Sequence, residues 1–185
     1  MNETAKKTAY LAFSAMLDQL AVQRFFALFA QATQEGYNDV HLLMQTIGGS
    51  VPDGVCLYNF FQSMESIELS IYNGGNVSSA GVIAYLGGDK RYVSSTGAFM
   101  IHRSTATFQG ANSDEVQARV ASLVIDDERT ETIIKNHITL TPEQWVVHKS
   151  SDLWLNSDQA IAAKVAESKC DFWVPTGARL TNVFP

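Results

Sequence analysis

The sequence predicts an α/β fold, in which short strands and helices alternate and right-handed crossovers join them. Residues 40–46 are almost continuously apolar, which is typical of a strand covered on both faces. Residues 18–33 repeat apolar side chains every three or four positions, which indicates a helix. Glycine pairs follow two of the strand-like runs, at Gly48-Gly49 and at Gly74-Gly75. Because ligands of α/β sheets bind beyond the ends of strands, we expect functional residues near these pairs.

The other elements are predicted in chain order from the same signals. A first strand is expected at residues 10–14, and Gly36 ends the helix that follows it. Ser113 is expected to cap a long helix over residues 113–136, with acidic side chains in its first turn. Thr141 is expected to cap a shorter helix that begins at Pro142. The remaining strands are predicted at residues 67–72, 91–93, 98–101 and 172–174, and the remaining helices at residues 53–64, 82–86 and 157–166.

Length and composition limit the classes of function. At 185 residues, of which 46% are apolar, the chain is expected to form one globular domain over residues 1–185. The net charge of −6 argues against a nucleic-acid surface, and no apolar run is long enough to span a membrane. The N-terminus lacks the apolar region of a signal peptide, so an unprocessed cytoplasmic protein is expected.

The sequence motifs of metal and cofactor sites do not occur in the chain. Neither the spacing of zinc ligands nor a phosphate-binding or dinucleotide-binding glycine pattern is found, so no metal and no cofactor are expected. Cys56 and Cys170 lie far apart in apolar surroundings, which favours two reduced, buried thiols. Because the chain has no phosphate-binding or dinucleotide-binding glycine pattern, any dependence on ATP would come from a partner protein.

The main candidate for chemistry is a serine in the glycine-rich segment Gly74-Gly75-Asn76-Val77-Ser78-Ser79-Ala80-Gly81. A strand-like run precedes this segment and a helix-compatible run follows it, so Ser79 is expected at a strand-to-helix turn. Small neighbours at such a turn let a substrate backbone approach, and the first free N–H groups of the helix face developing negative charge. The alternative is that this segment is a turn without a catalytic role, as most Gly/Ser turns are.

A serine hydroxyl needs a base to remove its proton, and His102 is the best placed of the four histidines. It directly follows the strand-like run Phe99-Met100-Ile101, where a partly buried polar cap is the structural alternative. A triad also needs a carboxylate to orient the imidazole, and spacing alone leaves several downstream residues open. The run Asp126-Asp127-Glu128 is expected to be a solvated helix face. The candidate carboxylates are Asp126, Asp127, Asp152 and Asp158.

Four segments together resemble the proteolytic subunit of Clp proteases. They occur in that family's order and at similar separations, and the resemblance covers roughly residues 9–166. It implies a crotonase-like fold, a right-handed spiral of ββα units, with the helix over residues 113–136 as a protruding handle. The segments are Gln45-Thr46-Ile47-Gly48-Gly49-Ser50-Val51, Gly75-Asn76-Val77-Ser78-Ser79-Ala80-Gly81, Met100-Ile101-His102 and Asp152-Leu153-Trp154-Leu155-Asn156-Ser157-Asp158-Gln159-Ala160.

The resemblance also implies roles for individual residues. Ser79 would be the nucleophile, His102 the general base and Asp152 the carboxylate that orients the base. The backbone N–H groups of Gly49 and Ala80 would form the oxyanion hole.

The resemblance further implies that two other glycines take part in substrate binding. Gly48 would shape the turn that carries the oxyanion hole. Gly110, in the segment Gly110-Ala111-Asn112, would pair with the substrate close to a contact between rings.

The chain departs from the family pattern at several places. Ile47 stands where the family usually has proline, so the glycine turn is expected to be less rigid. Ser78 stands where alanine is common, but Ser79 alone is followed by the x-Gly of the family pattern. Only about eight residues precede the first predicted strand, whereas a longer segment in the family engages a ring-shaped ATPase. The resemblance therefore supports an AAA+ ATPase partner only weakly.

Three functions are compared on this basis. The first is a serine endopeptidase that cleaves peptides or unfolded proteins inside a chamber formed by a homo-oligomeric ring or stacked rings. The second is a catalytically silent ring subunit or scaffold, which would usually lack a member of the triad. The third is a crotonase-type acyl-CoA enzyme, which normally uses carboxylates in place of a serine and a histidine.

Overall fold

The structure is a computed structural model that describes residues 6–107, 109–110 and 112–184. Strands and helices alternate through most of the chain, so the predicted α/β class is confirmed. The strands are β1 (Thr8–Ser14), β2 (Asp39–Thr46), β3 (Glu68–Ser78), β4 (Lys90–Val93), β5 (Ala98–Ile101), β6 (Leu153–Asn156), β7 (Ser168–Lys169) and β8 (Leu180–Asn182). The helices are α1 (Gln19–Gln34), α2 (Val51–Gln62), α3 (Ala80–Tyr85), α4 (Ser113–His137), α5 (Pro142–Ser150) and α6 (Ser157–Ala162).

The described strands form one mixed sheet in the order β6-β5-β3-β2-β1-β8, with β4 paired to both β3 and β7. All of these pairs are parallel except β5 with β6. The long strand β3 pairs with β4 through its first half and with β5 through its second half. The second half of β3 therefore carries the chain to the edge of the sheet where β5 also ends.

An aromatic core lies where α1 and α2 pack on the sheet. Phe13 of β1, Phe25 and Phe29 of α1 and Phe61 of α2 are almost completely buried. The rings of Phe25 and Phe61 meet edge to face, with centroids 5.5 Å apart. This packing fixes α2, whose first turn begins directly after the Gly48-Gly49 pair.

The bounds predicted for the long helix α4 agree with the structure to within one residue, but its N-cap and the burial of one side chain differ from the prediction. Asn112, and not Ser113, is the N-cap: its side chain accepts from the N–H of Glu115, and Glu115 reaches back to the N–H of Asn112. Val120 and Val124 are about half exposed, as expected for an unpartnered apolar face, but Ile133 is buried. No helix in the described ranges is both long and apolar enough to cross a membrane.

Several other predicted elements are wrong in extent. The strand expected at residues 67–72 continues to Ser78, so Gly74-Gly75 lies within β3 and is not a turn. The glycines are accommodated there because β2 places the Leu43 and Gln45 side chains against them. The helix over residues 157–166 ends at Ala162, before Lys164 takes a left-handed backbone conformation.

The C-terminal region also differs from expectation. Residues 172–174 do not form a strand, and the short β7 and β8 lie on either side of them. β8 adds to the edge of the sheet beside β1, which the polar sequence of Leu180–Asn182 did not indicate. Cys170 is exposed, so the prediction of two buried thiols is wrong for this residue.

Candidate active site

The site lies where β3 and β5 end side by side. These strands are parallel, and Ser78 at the end of β3 pairs with Met100 of β5. The next residue, Ser79, donates its backbone N–H to the carbonyl of Met100 at 2.8 Å. His102 follows the last residue of β5. The sheet therefore brings the predicted nucleophile and the predicted base to one edge, as the sequence pattern suggested.

Ser79 occupies a strained turn between β3 and α3. Its backbone has φ 55° and ψ −130°, a region that residues other than glycine rarely adopt. Such a conformation costs about 1–3 kcal/mol and persists only where the surrounding structure holds it. Although Ser79 is the N-cap of α3, its hydroxyl caps no backbone N–H of the helix. The hydroxyl is therefore available to another partner.

That partner is the imidazole of His102. The Nε2 atom of His102 lies 2.7 Å from the Oγ of Ser79, within hydrogen-bond distance. With the ring proton on Nδ1, Nε2 accepts the hydrogen bond from the serine hydroxyl, which is the arrangement that proton removal requires.

Asp152 faces the opposite side of the same imidazole. Its Oδ1 lies 3.4 Å from His102 Nδ1, which is longer than a good hydrogen bond, and its side chain is 54% exposed. The antiparallel pairing of β5 with β6 explains this placement, because Ile101 pairs with Leu153 and the residues one step further are His102 and Asp152. Catalytic hydrogen bonds are often long in the absence of substrate.

The other candidate carboxylates are engaged elsewhere. Asp126 pairs with Arg129 along α4, and Asp158 pairs with Lys169. Asp127 is nearly buried and pairs with Arg103, so the prediction of a solvated face is wrong for this residue. Asp152 is thus the carboxylate that the fold places beside His102.

The structure also separates the two adjacent serines. Ser78 is buried, and its hydroxyl exchanges hydrogen bonds with the side-chain amide of Asn76 at 2.9 and 3.1 Å. The hydroxyl of Ser78 is therefore already paired within the protein, whereas the hydroxyl of Ser79 caps no backbone N–H. Only the Ser79 hydroxyl lies within hydrogen-bond distance of His102 in the described structure.

The glycine turn before α2 packs directly on the Ser79 turn. Gly48 has φ 93°, and a Cβ at this position would lie 2.6 Å from the Cβ of Ser79 and 2.7 Å from the carbonyl oxygen of Ser78. Gly49 has φ 151°, and a Cβ there would collide with the backbone of Leu17. Only glycine fits either position without a rearrangement.

Hydrogen bonds hold this turn in the absence of the family's proline. The carbonyl of Gly48 accepts from the N–H of Leu17 at 2.8 Å, and the N–H of Ser50 donates to the carbonyl of Leu17 at 2.9 Å. The N–H of Gly48 donates to the hydroxyl of Thr46 at 3.0 Å. The backbone is therefore anchored on both sides of the exposed Ile47 side chain and the glycine pair.

Two backbone N–H groups beside Ser79 are free to bind a ligand. Within the described part of the chain, neither the N–H of Gly49 nor that of Ala80 donates a hydrogen bond. Both residues line the same cleft as Ser79 and His102. A developing oxyanion on a substrate carbonyl is the kind of acceptor that such unpaired donors stabilise.

The cleft beside Ser79 has a volume of about 180 Å³. Apolar side chains from several elements line it, and α4 contributes Thr130 and Ile134, which the sequence interpretation did not single out. Their spacing of four residues on one helix was the available signal. The lining also includes Val51, Ile83, Met100, Ile101 and Thr105.

The two glycines expected to bind substrate lie outside the cleft lining. Gly48 stands behind the Ser79 turn, where it supports the turn and does not face the cleft. Gly110 is exposed and has φ 64°, and Ala111 beside it lies outside the described residues. A role for Gly110 in binding substrate stays a prediction.

A larger cavity of about 310 Å³ lies between β1, β8 and α1. Among the described residues, the charged side chains that line it are Glu35 and Arg179, and the lining contains no histidine, serine or cysteine. This cavity therefore lacks the side chains of a nucleophile and base pair, and the smaller cleft is the candidate active site.

Comparisons with known proteins show the family of the chain and a similar fold. The family model described as Clp protease matches residues 5–167. The chain is 26% identical to the ATP-dependent Clp protease proteolytic subunit of Streptococcus gordonii over 137 residues, which cover 73% of this chain and 69% of that protein. A ClpP1 mutant from Listeria monocytogenes has a similar structure, with a TM-score of 0.73 and 18% identity over 89% of this chain and 91% of that chain.

Proposed function

The chain belongs to the Clp protease family, and on that premise we propose that it is a serine endopeptidase that uses Ser79, His102 and Asp152. Membership of this family supports a serine-type peptidase in general, and it favours hydrolysis of peptide bonds over the chemistry of acyl-CoA enzymes. The observation that carries the proposal for this chain is the 2.7 Å contact between Ser79 Oγ and His102 Nε2.

The reaction begins with a proton transfer at this contact. His102 Nε2 removes the proton from Ser79 Oγ as the oxygen attacks the carbonyl carbon of the scissile peptide bond. The carbonyl oxygen becomes an oxyanion, which the N–H groups of Gly49 and Ala80 stabilise. Asp152 keeps the proton of the neutral imidazole on Nδ1 and stabilises the imidazolium that forms.

Collapse of the tetrahedral intermediate breaks the peptide C–N bond. The imidazolium of His102 gives its proton to the leaving amine, and the acyl group stays bonded to Ser79 Oγ. A water molecule then attacks this ester while His102 acts as base again. Proton return to Ser79 Oγ releases the carboxylic acid and restores the enzyme.

A catalytically silent ring subunit is the second candidate. The observation that favours it is the 3.4 Å separation of Asp152 from His102, together with the exposure of the carboxylate to water. In this case the triad residues would be present without being aligned, and substrate or assembly would not bring them closer.

The assembly that we propose is a homo-oligomeric ring, alone or stacked, that encloses the active sites. The family typically forms oligomeric rings and works with Clp ATPases, and the relative from Streptococcus gordonii is named as an ATP-dependent proteolytic subunit. In this chain, the half-exposed Val120 and Val124 on α4 form an apolar surface that a second copy would cover. An ATPase partner would engage such a ring from outside.

Hydrolysis of a fluorogenic peptide tests the proposed function. We expect Ser79→Ala to abolish the hydrolysis and Ser78→Ala to retain it, because the Ser78 hydroxyl is buried and bonded to Asn76. If Ser79→Ala and the unmodified protein hydrolysed the peptide equally, the nucleophile assignment would be wrong. If the assembled, unmodified protein hydrolysed no peptide in a broad library, the silent subunit would be favoured.

A further inference from the structure

A buried carboxylate on α4 holds the loop that follows His102. The side chain of Asp127 is only 11% exposed, and Arg103 Nη2 approaches its Oδ2 at 2.6 Å. The backbone N–H of Ser104 donates to Asp127 Oδ1 at 2.7 Å. One carboxylate therefore binds both of the residues that come directly after the predicted base.

This contact is the main anchor of the loop. β5 ends at Ile101, and residues 103–107 belong to no helix or strand. Among the described residues, no other backbone group of residues 103–107 forms a hydrogen bond. The position of the His102 backbone thus depends on β5 on one side and on Asp127 on the other.

Asp127 lies on the face of α4 that forms a wall of the cleft. Thr130 and Ile134, which line the cleft, are three and seven residues further along the helix, so all three side chains share one face. The helix therefore fixes the loop and the cleft wall as one unit. A hydrogen bond to a carboxylate that is mostly removed from water is also stronger than an exposed one.

We propose that Asp127 is a positioning residue that keeps His102 within hydrogen-bond distance of Ser79 by holding Arg103 and Ser104. The inference rests on the proposed function, because it takes His102 to be the general base. Without the carboxylate, the N–H of Ser104 and the guanidinium of Arg103 lose their partner, and the loop is free to move. His102 then spends less time aligned with Ser79 Oγ.

This role is tested by the rate at which a fluorophosphonate labels Ser79, measured per active site. We expect Asp127→Ala to lower this rate and the kcat for a fluorogenic peptide by about 10- to 100-fold, since small displacements of a catalytic group have effects of this size. KM should change by a smaller factor than kcat, because Asp127 itself does not line the cleft, although Arg103 and Ser104, which it holds, do. Asp126→Asn is the matched control, since among the described residues the ion pair of Asp126 is with Arg129 on the same helix turn, and it should label at the unmodified rate.

The pH profile separates positioning from a loss of folded protein. Counting the active sites at each pH corrects the labelling rate for any loss of folded protein, including the larger loss expected in acid. A misplaced base instead changes the shape of the profile, so that the rate for Asp127→Ala continues to rise with pH where the unmodified protein reaches a plateau.

Arg103→Gln provides a second test if Asp127→Ala fails to fold. This variant retains the Asp127 carboxylate and its hydrogen bond to Ser104, so we expect its labelling rate to fall by only about 3- to 10-fold. Arg103→Lys should label faster than Arg103→Gln, because lysine keeps a positive charge near Asp127. A folded Asp127→Ala or Arg103→Gln protein that labels at the unmodified rate would overturn the positioning role. The same conclusion holds if Asp126→Asn is as slow as Asp127→Ala.

Failure of the unmodified protein to label at Ser79 would overturn the proposed function, and the positioning role with it.

Discussion

The backbone N–H of Ser79 donates to the carbonyl of Met100 at 2.8 Å. This bond continues the pairing of β3 with β5 beyond the end of β3, and it ties the turn of the predicted nucleophile to the strand that carries His102. The pairing of these strands therefore contributes to the alignment of Ser79 with His102, in addition to the anchoring of the loop that follows His102.

Gly48→Ala should disrupt this alignment. The new Cβ would lie 2.6 Å from the Cβ of Ser79, and the backbone at φ 93° is unfavourable for alanine. We expect peptide hydrolysis to fall by at least about tenfold, because the Ser79 turn must move. Gly36→Ala is the matched control: its backbone has φ 76°, but nothing lies within 4 Å of the new Cβ. That variant should lose about 1 kcal/mol of unfolding free energy in urea titrations and keep its activity per folded site.

Asp152→Asn tests the orienting carboxylate. The amide retains the size of the side chain but removes the negative charge that stabilises the imidazolium, so kcat should fall by about 100-fold or more. Asp158→Asn removes an exposed carboxylate that pairs with Lys169, and it should leave kcat within about twofold. An Asp152→Asn enzyme with the unmodified kcat would show that another group orients His102.

Acid should destabilise the fold through two histidines, the buried His148 and the half-buried His137. Burial lowers the pKa of His148 and of His137 below the usual value of 6.5. The unfolded chain therefore binds more protons than the folded chain once the pH falls below about 6.5. We expect the free energy of unfolding to decrease as the pH is lowered from about 6.5 towards the depressed pKa values of the folded state.

His148→Leu should reduce this sensitivity to acid. Neither ring nitrogen of His148 forms a hydrogen bond of good geometry within the described part of the chain, although the backbone of Ile101 lies near the ring, so leucine removes a titratable group with little loss of hydrogen bonding. Urea titrations between pH 8 and pH 5 would measure the effect for both proteins. An equal loss of unfolding free energy in the two proteins over this range would contradict the assignment to His148.

An acidic residue on the exposed face of α4 should weaken assembly. Val120→Glu and Val124→Glu place a charge on the half-exposed apolar surface, where a second copy would have to bury it. Light scattering should show smaller particles for these variants. Ser122→Glu adds the same charge to the opposite face of α4 and should assemble normally. Unchanged particle mass for all three variants would exclude this face from the interface.

The sequence predicted the edge of the sheet that gathers Ser79, His102 and Gly49, because strand ends followed by small residues have a characteristic pattern. It did not identify the role of Asp127. In the sequence this residue belongs to a charge run, and its burial arises only when the loop over residues 103–104 docks on α4. Long-range docking of this kind leaves little periodic signal in a single sequence.

The Gly74-Gly75 pair shows a different limit of prediction from sequence. Glycine pairs usually mark turns, but here β2 presents the side chains of Leu43 and Gln45 against the two glycines, and the strand continues. A glycine pair indicates that a Cβ is excluded at these positions. Either a turn or the close approach of a neighbouring side chain can be the reason. The edge strand β8 was missed because its short, polar sequence has no alternating apolar pattern.

The most direct test of the central claim is mass mapping of the protein after reaction with a fluorophosphonate. We expect a single adduct on Ser79 in the assembled protein, and a labelling rate that falls by about 1,000-fold or more in His102→Ala, because the base is removed. An adduct on Ser78, or no adduct on Ser79 in a well-folded assembly, would show that Ser79 is not the nucleophile.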